Sequence, residues 1–232
     1  MPFDALEAVQ VPEPDPDALY QDRESLASAT RAAELWAARV AANPGDFESG
    51  WKLARARYWL GTNGVPASDR RAMLERGVAA GRAAAALQPN KPEGHFWAAA
   101  NMGALAESYG LRQGVKYRKP IKDELEIVLR LDPAFLQGSA DRALGRWYLK
   151  VPGLLGGSKT ESERHLRRAL TYDGQSVITR FFLAETLEAL GQREAARDEL
   201  RAAIGAPPDP EWAPEDRRFK QQAEALLEKL SR

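Results

Sequence analysis

The chain has 232 residues, enough for one large core or for a stack of roughly four or five helix pairs. Lysine plus arginine and aspartate plus glutamate both number 33, so the net charge is zero and no global field draws in nucleic acid or an anionic membrane face. There is no cysteine, and the only histidines are His95 and His165, which excludes disulfides, thiolate chemistry and His- or Cys-rich metal sites; no cofactor is implied.

No apolar run reaches the roughly 18 residues of a membrane span. Met1–Gln10 lacks the basic and apolar regions of a secretory signal. The expected location is cytoplasmic for the chain as it stands, and periplasmic if it is a trimmed export form. Residues 1–16 interleave Pro12, Pro14 and Pro16 with Glu13 and Asp15, which predicts a mobile extended segment ahead of a single helical domain over 17–232. From Asp17 to Ala42 the pattern is helical, with Leu26, Ala29, Ala33, Trp36, Ala37 and Val40 on one stripe.

Helical runs then end repeatedly in the same punctuation: Asn43-Pro44, Gln88-Pro89, Asp132-Pro133, Asp173-Gly174 and Pro207-Pro208. The second members of these pairs lie 45, 44, 41 and 34 residues apart. The last interval equals the roughly 34-residue period of a tetratricopeptide helix-turn-helix, and the others read as that unit with insertions. Counting from Val177, Leu183-Ala184, Leu187, Gly191, Ala196, Leu200, Ala203 and Pro208 fill the template positions of the last unit. Small residues there let helix axes approach, and large ones fill the gaps.

Earlier units match more loosely, through Leu53-Ala54 with Leu60-Gly61, Met102-Gly103 with Tyr109-Gly110, and Leu144-Gly145 with Tyr148. Their second helices are expected over 68–87, 120–131 and 161–170. Lys119-Pro120 reads as a cap followed by proline at the first helical position, and Thr160 with Glu163 as a capping box. Phe219, Ala223, Leu226, Leu227 and Leu230 predict a closing helix after Pro214. The expected fold is all-α: a tetratricopeptide-like helical-repeat solenoid of about four helix pairs with N- and C-terminal capping helices.

The segments Trp51–Arg55, Gly94–Trp97, Asn101–Gly103, Asp141–Gly145, Val151–Gly153 with Gly156-Gly157, and Asp209–Trp212 together resemble the T-component family of tripartite ATP-independent periplasmic (TRAP) transporters over about 17–230. That resemblance implies a tetratricopeptide-like protein associating with the solute-binding component of a transporter. Members are commonly exported, often as lipoproteins, whereas no signal or lipid-accepting cysteine stands here. The first two segments are also similar to the helical-repeat domain of regulator-of-microtubule-dynamics proteins, a likeness that speaks to fold.

In such a stack the first helix of each pair lines the concave wall. The template places Glu48, Trp51, Arg55 and Tyr58 there in unit one, and Trp97, Ala100, Ala104 and Glu107 in unit two. Unit three contributes Ser139, Arg142, Arg146 and Leu149, and unit four Ile178, Phe181, Glu185 and Glu188. Aromatic platforms with arginines suit an anionic or peptide partner. The plain alternative is that Trp51, Tyr58 and Trp97 pack between helices and that Arg142 and Arg146 form ion pairs inside the groove. His95 and Asn101 are candidate groove contacts, or else capping or satisfied interior groups.

Lys116, Arg118, Lys119 and Lys122, with Arg112, make a basic patch around Tyr117 that could dock an acidic partner or lipid headgroups; the alternative is a solvated loop offset by Asp123 and Glu124. Gly153–Thr160 imitates a phosphate-binding loop, but Ser158 replaces the glycine before the lysine and no strand is predicted ahead of it. It reads better as an inter-helix loop. No nucleic-acid motif is present. The sequence therefore points to a non-enzymatic scaffold that binds a protein partner or small ligand in its groove, with a stand-alone cytoplasmic adaptor as the alternative. Self-association through an exposed aromatic patch is compatible with either.

Overall fold

The computed structural model describes residues 13–232. Residues 1–12 of the expected mobile segment lie outside them; of the remainder, Asp15 caps the first helix and Pro16 begins it. Among the described residues there are eleven α-helices and no strand. They are α1 (Pro16–Gln21), α2 (Leu26–Ala42), α3 (Phe47–Trp59), α4 (Ala67–Leu87), α5 (Pro92–Ser108), α6 (Gly110–Leu131), α7 (Phe135–Lys150), α8 (Lys159–Tyr172), α9 (Val177–Ala189), α10 (Arg193–Gly205) and α11 (Ala213–Ser231). Pairs α3/α4, α5/α6, α7/α8 and α9/α10 form the expected stack, with α1 and α2 before it and α11 after.

Several starts have a local cause. Asp46, Ser158 and Ser176 sit at N-caps and accept from the backbone N–H three residues on, for example Ser49 N to Asp46 Oδ1 at 3.0 Å. The expected helical stretch from Asp17 to Ala42 is broken at Asp22–Ser25, because Ser25 caps α2 and the Arg23 carbonyl turns aside to accept Trp59 Nε1 at 2.7 Å. A π-helical turn, Leu60–Gly64, widens the end of α3.

Two expected boundaries shift. Lys119-Pro120 does not start a helix: α6 begins at Gly110, whose positive φ of 76° makes the turn by itself, and Pro120 lies inside. Burial of Tyr117, Ile121, Leu125 and Val128 along one stripe carries the helix past the missing N–H. The basic patch is thus on a helix, not a loop. The cap of α8 is Ser158, two residues ahead of Thr160; its own N–H donates to the Tyr148 carbonyl at 3.0 Å, which holds the extended backbone an N-cap needs. In the first turn of α7, Leu136 and Gln137 take positive φ and kink the helix there, an uncommon state for residues with a side chain.

Close approach of helices sets the stack. A Cβ on Gly81 of α4 would lie 2.6 Å from the Ala98 nitrogen of α5, and one on Gly94 would lie 2.4 Å from the Ala85 nitrogen. Asn101, fully buried in α5, donates its Nδ2 to the Ala54 carbonyl of α3 at 3.0 Å and to Trp97 O at 2.8 Å. It joins two repeats through a backbone carbonyl in a dry contact.

One substitution made at two glycines separates packing from helix propensity. Gly103 of α5 has open space where its Cβ would stand, so Gly103→Ala is expected to stabilise the fold by up to about 1 kcal/mol. At Gly81 the neighbour is backbone and cannot yield, and an overpacking cost of about 1–3 kcal/mol outweighs the same gain. Gly81→Ala should lower the urea midpoint and Gly103→Ala should raise it; equal shifts would contradict the close-packing account.

Candidate binding groove

The first helices α3, α5, α7 and α9 turn one face inward, as the repeat template requires, and α11 continues that wall. They enclose a groove of about 1010 Å³. Ala100, Gly103 and Ala104 keep its floor low, because side chains that small leave the centre unfilled. Tyr58, Trp97 and Phe181 line it, with Tyr58 and Trp97 ring centroids 5.8 Å apart, but Trp97 and Phe181 are largely packed into the core between helices. Ser139 and Ile178 also face it, though the Ser139 hydroxyl is spent on the Phe135 carbonyl at 2.9 Å.

Four expected groove residues are placed elsewhere. Trp51 and Arg55 are covered by α1: the Arg55 guanidinium sits 4.1 Å from the Tyr20 ring centroid and 5.0 Å from that of Trp51, with Asp17 at 3.7 Å. Burial holds the Arg55 pKa below its ordinary value. His95 faces α6 instead, its Nδ1 2.6 Å from Glu124 Oε2 and its Nε2 3.1 Å from the Pro89 carbonyl. Asn101 is the inter-repeat link already described. Trp51 and Arg55 are half-buried beside α1, whereas His95 and Asn101 are buried because α5 must meet α6 on one side and α3 on the other.

The charged positions divide sharply. Arg146 makes a fork-to-fork contact with Glu107 at 3.0 and 3.1 Å and a further ion pair with Glu185, which Lys150 also approaches at 3.4 Å. Burial pulls the Arg146 pKa down, but its bonds to Glu107 and Glu185 outweigh that and leave it raised. Arg142 has no carboxylate at ion-pair distance among the described residues, and burial pushes its pKa down to about 10, against the weaker pull of Asp173, Tyr58 and Asp216. It stays charged at neutral pH. Arg142 also borders a smaller recess of about 320 Å³ with Asp173, Trp212 and Asp216. Burial raises the pKa of the Tyr58 hydroxyl, on which Arg218, Glu107, Glu215 and Arg142 all act by charge.

The basic patch is not one surface. Lys119 pairs with Asp123 at 2.6 Å, Lys122 approaches Glu126 at 3.8 Å and lies over the Tyr148 ring, and Lys116 rests against Tyr117. Arg118 alone reaches the groove, where it donates to the Leu155 carbonyl at 2.8 Å. The glycine loop follows α7 and spends its polar groups internally: Ser158 caps α8, and Lys159 Nζ donates to the Ala189 carbonyl at 2.6 Å. Among the described residues no three His, Asp or Glu side chains gather to hold a metal.

Sequence reasoning placed α11 as a cap and missed that it enters the groove. Glu215, Arg218 and Phe219 line the inner wall, with Phe219 against Phe181 at 5.5 Å between ring centroids. Its start is held by Arg23, only 7% exposed, which donates to Glu215 Oε2 and to the Glu211 carbonyl, both at 2.6 Å, and lies between the rings of Tyr20 and Trp59. Glu24–Arg217 and Asn63–Arg218 contacts flank it. The last helix therefore meets the connection between α1 and α2 and the π-helical turn after α3, which joins the two ends of the stack beside the groove. No spacing rule marks residues 192 positions apart as partners.

Comparison with known proteins agrees with this architecture. Residues 15–155 match the model of the family described as regulator of microtubule dynamics protein 1-3. No curated protein matches the chain. Its structure is similar to that of TTC0263, a thermophilic tetratricopeptide protein of Thermus thermophilus, with a TM-score of 0.68 at 21% identity over 91% of this chain and 97% of that one. MamA is similar too, with a TM-score of 0.54 at 11% identity over 91% of this chain and 99% of its own. At these identities the likeness is one of fold.

Arg23→Ala tests the clasp. It strands the largely buried Glu215 and removes the plate between two aromatic rings, so a loss of about 3 kcal/mol is expected. Hydrogen exchange should accelerate over 213–231 and leave 92–131 protected, provided the loss is local. Unchanged exchange in α11 would show that the clasp does not hold it.

Proposed function

The chain belongs to the regulator of microtubule dynamics protein 1-3 family, and from that premise we propose that it is a non-catalytic receptor holding a segment of another protein in its groove. The observation that carries this reading is the groove itself: about 1010 Å³, walled by Tyr58, Trp97 and Phe181, with Arg142 unpaired among them. Aromatic edges along the wall supply apolar contact, and a guanidinium without a carboxylate partner supplies orientation. Neither feature performs chemistry. The fold supports the same reading, since stacked helix pairs build concave binding surfaces.

The likeness to TRAP T-components proposes a narrower partner, the solute-binding component of a transporter. It rests on the sequence segments that carry the resemblance. A general adaptor for other proteins uses the same groove and the same aromatic edges.

The test is selection of peptides on the folded full chain, followed by titration against Gly103→Trp. Gly103 faces the groove with nothing near its Cβ direction, so an indole there fills the cavity without displacing backbone. Selected peptides should lose at least about tenfold in affinity, on the order of 1.4 kcal/mol, with helical content unchanged. Equal binding to both proteins would place the receptor surface outside the groove.

A further inference from the structure

Most charged donors in the groove already have acceptors. Arg146 and Lys150 are neutralised by Glu107 and Glu185, Arg118 donates to the Leu155 carbonyl, and Arg70 donates to the Val65 carbonyl at 3.2 Å. Glu215 is taken by Arg23. The carboxylates facing the groove are thus already offset by cations and present little repulsion to an incoming anion.

Beside them stands a set of donors without acceptors. Arg142 has no side-chain or carbonyl partner among the described residues. Trp97 is 5% exposed, and its Nε1–H, buried against the groove, has none either. Arg218 gives one nitrogen to Asn63 and leaves its buried Nε unpaired. The Tyr58 hydroxyl lies among the three: its ring meets Trp97 at 5.8 Å, and both Arg142 and Arg218 act on it by charge. Buried donors are ordinarily satisfied, yet two of the three buried side-chain N–H groups without an acceptor among the described residues, Trp97 Nε1 and Arg218 Nε, line this one cavity, which points to a missing acceptor. A group with several lone pairs and a negative charge supplies what each of them lacks.

We propose that Tyr58, Trp97, Arg142 and Arg218 form a subsite for a carboxylate carried by the bound peptide segment. This deepens the receptor reading given above and rests on it. The planar fork of Arg142 matches a carboxylate in two bonds, and the Tyr58 hydroxyl and Trp97 indole add neutral donors from the same cavity lining. Cations on the wall, Arg70, Arg118, Arg142, Arg146, Lys150 and Arg218, outnumber Glu107, Glu185 and Glu215, which favours an acidic occupant. Asp173 and Asp216 lie close enough to act on Arg142 by charge, yet neither pairs with it. They restrict the subsite to one anionic group.

The full chain labelled with nitrogen-15 reports on the site directly, through the Trp97 indole N–H and the Arg142 Nε–Hε signals. The probes are acetyl-Ala-Glu-Ala-amide for a side-chain carboxylate, acetyl-Ala-Ala-Ala with a free C-terminus for a terminal one, acetyl-Ala-Gln-Ala-amide as the uncharged control, and inorganic phosphate. A carboxylate probe is expected to move both signals saturably, the glutamine probe not at all, and the stronger carboxylate probe identifies its source. Arg142→Gln should weaken that binding at least about tenfold, while Lys119→Gln, on the outer face of α6, leaves it unchanged. Shifts matched by sodium chloride at equal ionic strength, binding of phosphate alone, or equal binding to Arg142→Gln would each overturn the assignment. Gly103→Trp keeps the two readings apart. Selected peptides that lose affinity for Gly103→Trp but bind Arg142→Gln normally leave the groove and remove the subsite. Carboxylate probes that move Trp97, beside peptides indifferent to Gly103→Trp, do the reverse.

Discussion

A solenoid is held together by contacts between neighbours, so its two ends are ordinarily free of one another. Here the shape of the groove depends on a departure from that rule, the buried guanidinium of Arg23 joining the α1–α2 connection to Glu211 and Glu215 at the start of α11. Three features make it more than a surface ion pair. It is shielded from water, it satisfies a backbone carbonyl as well as a carboxylate, and it is packed between two aromatic rings. The closure that results brings Arg218 and Phe219 into the same cavity lining as Tyr58 and Trp97.

Most buried polar groups within the stack are hydrogen-bonded: Asn101 Nδ2 ties α5 to α3, Ser162 hydrogen-bonds the Gly145 carbonyl and Thr186, and His165 meets Asp141 at 2.7 Å, while Asn101 Oδ1 and Asp141 Oδ2 are left without a hydrogen-bond partner. Along the groove, the buried Trp97 Nε1–H and Arg218 Nε–H remain without acceptors. A buried donor without an acceptor costs about 1–3 kcal/mol. The two beside the groove are the observation on which the proposed subsite rests.

Much of the fold was legible from periodic signals. Pro44, Pro89, Pro133, Gly174 and Pro208 follow the second helix-ending signal of each unit, and the helices end within a few residues of them. Misplaced boundaries share one cause, local signals overruled by packing: Pro120 looks like a helix start, but the buried stripe from Tyr117 to Val128 runs through it. The groove was partly legible too. Template counting puts Tyr58, Trp97, Glu107, Arg142, Arg146, Phe181 and Glu185 on the inner wall, and all of them line the cavity. It failed at Glu48, Trp51, Arg55, Leu149 and Glu188, none of which lines the cavity, while His95 and Asn101, candidates outside the template, take the interior role that was their alternative.

By itself, then, the order of residues determined the elements and their succession, because helix stripes, caps and punctuation act over a few positions. Tertiary structure alone decided which inward charges are free. Arg142 and Arg146 stand one helical turn apart in the same helix with the same side chain, and nothing local distinguishes them. Arg146 meets two glutamates from neighbouring repeats and Arg142 meets none, because pairing depends on which side chains the curvature of the stack brings across the groove.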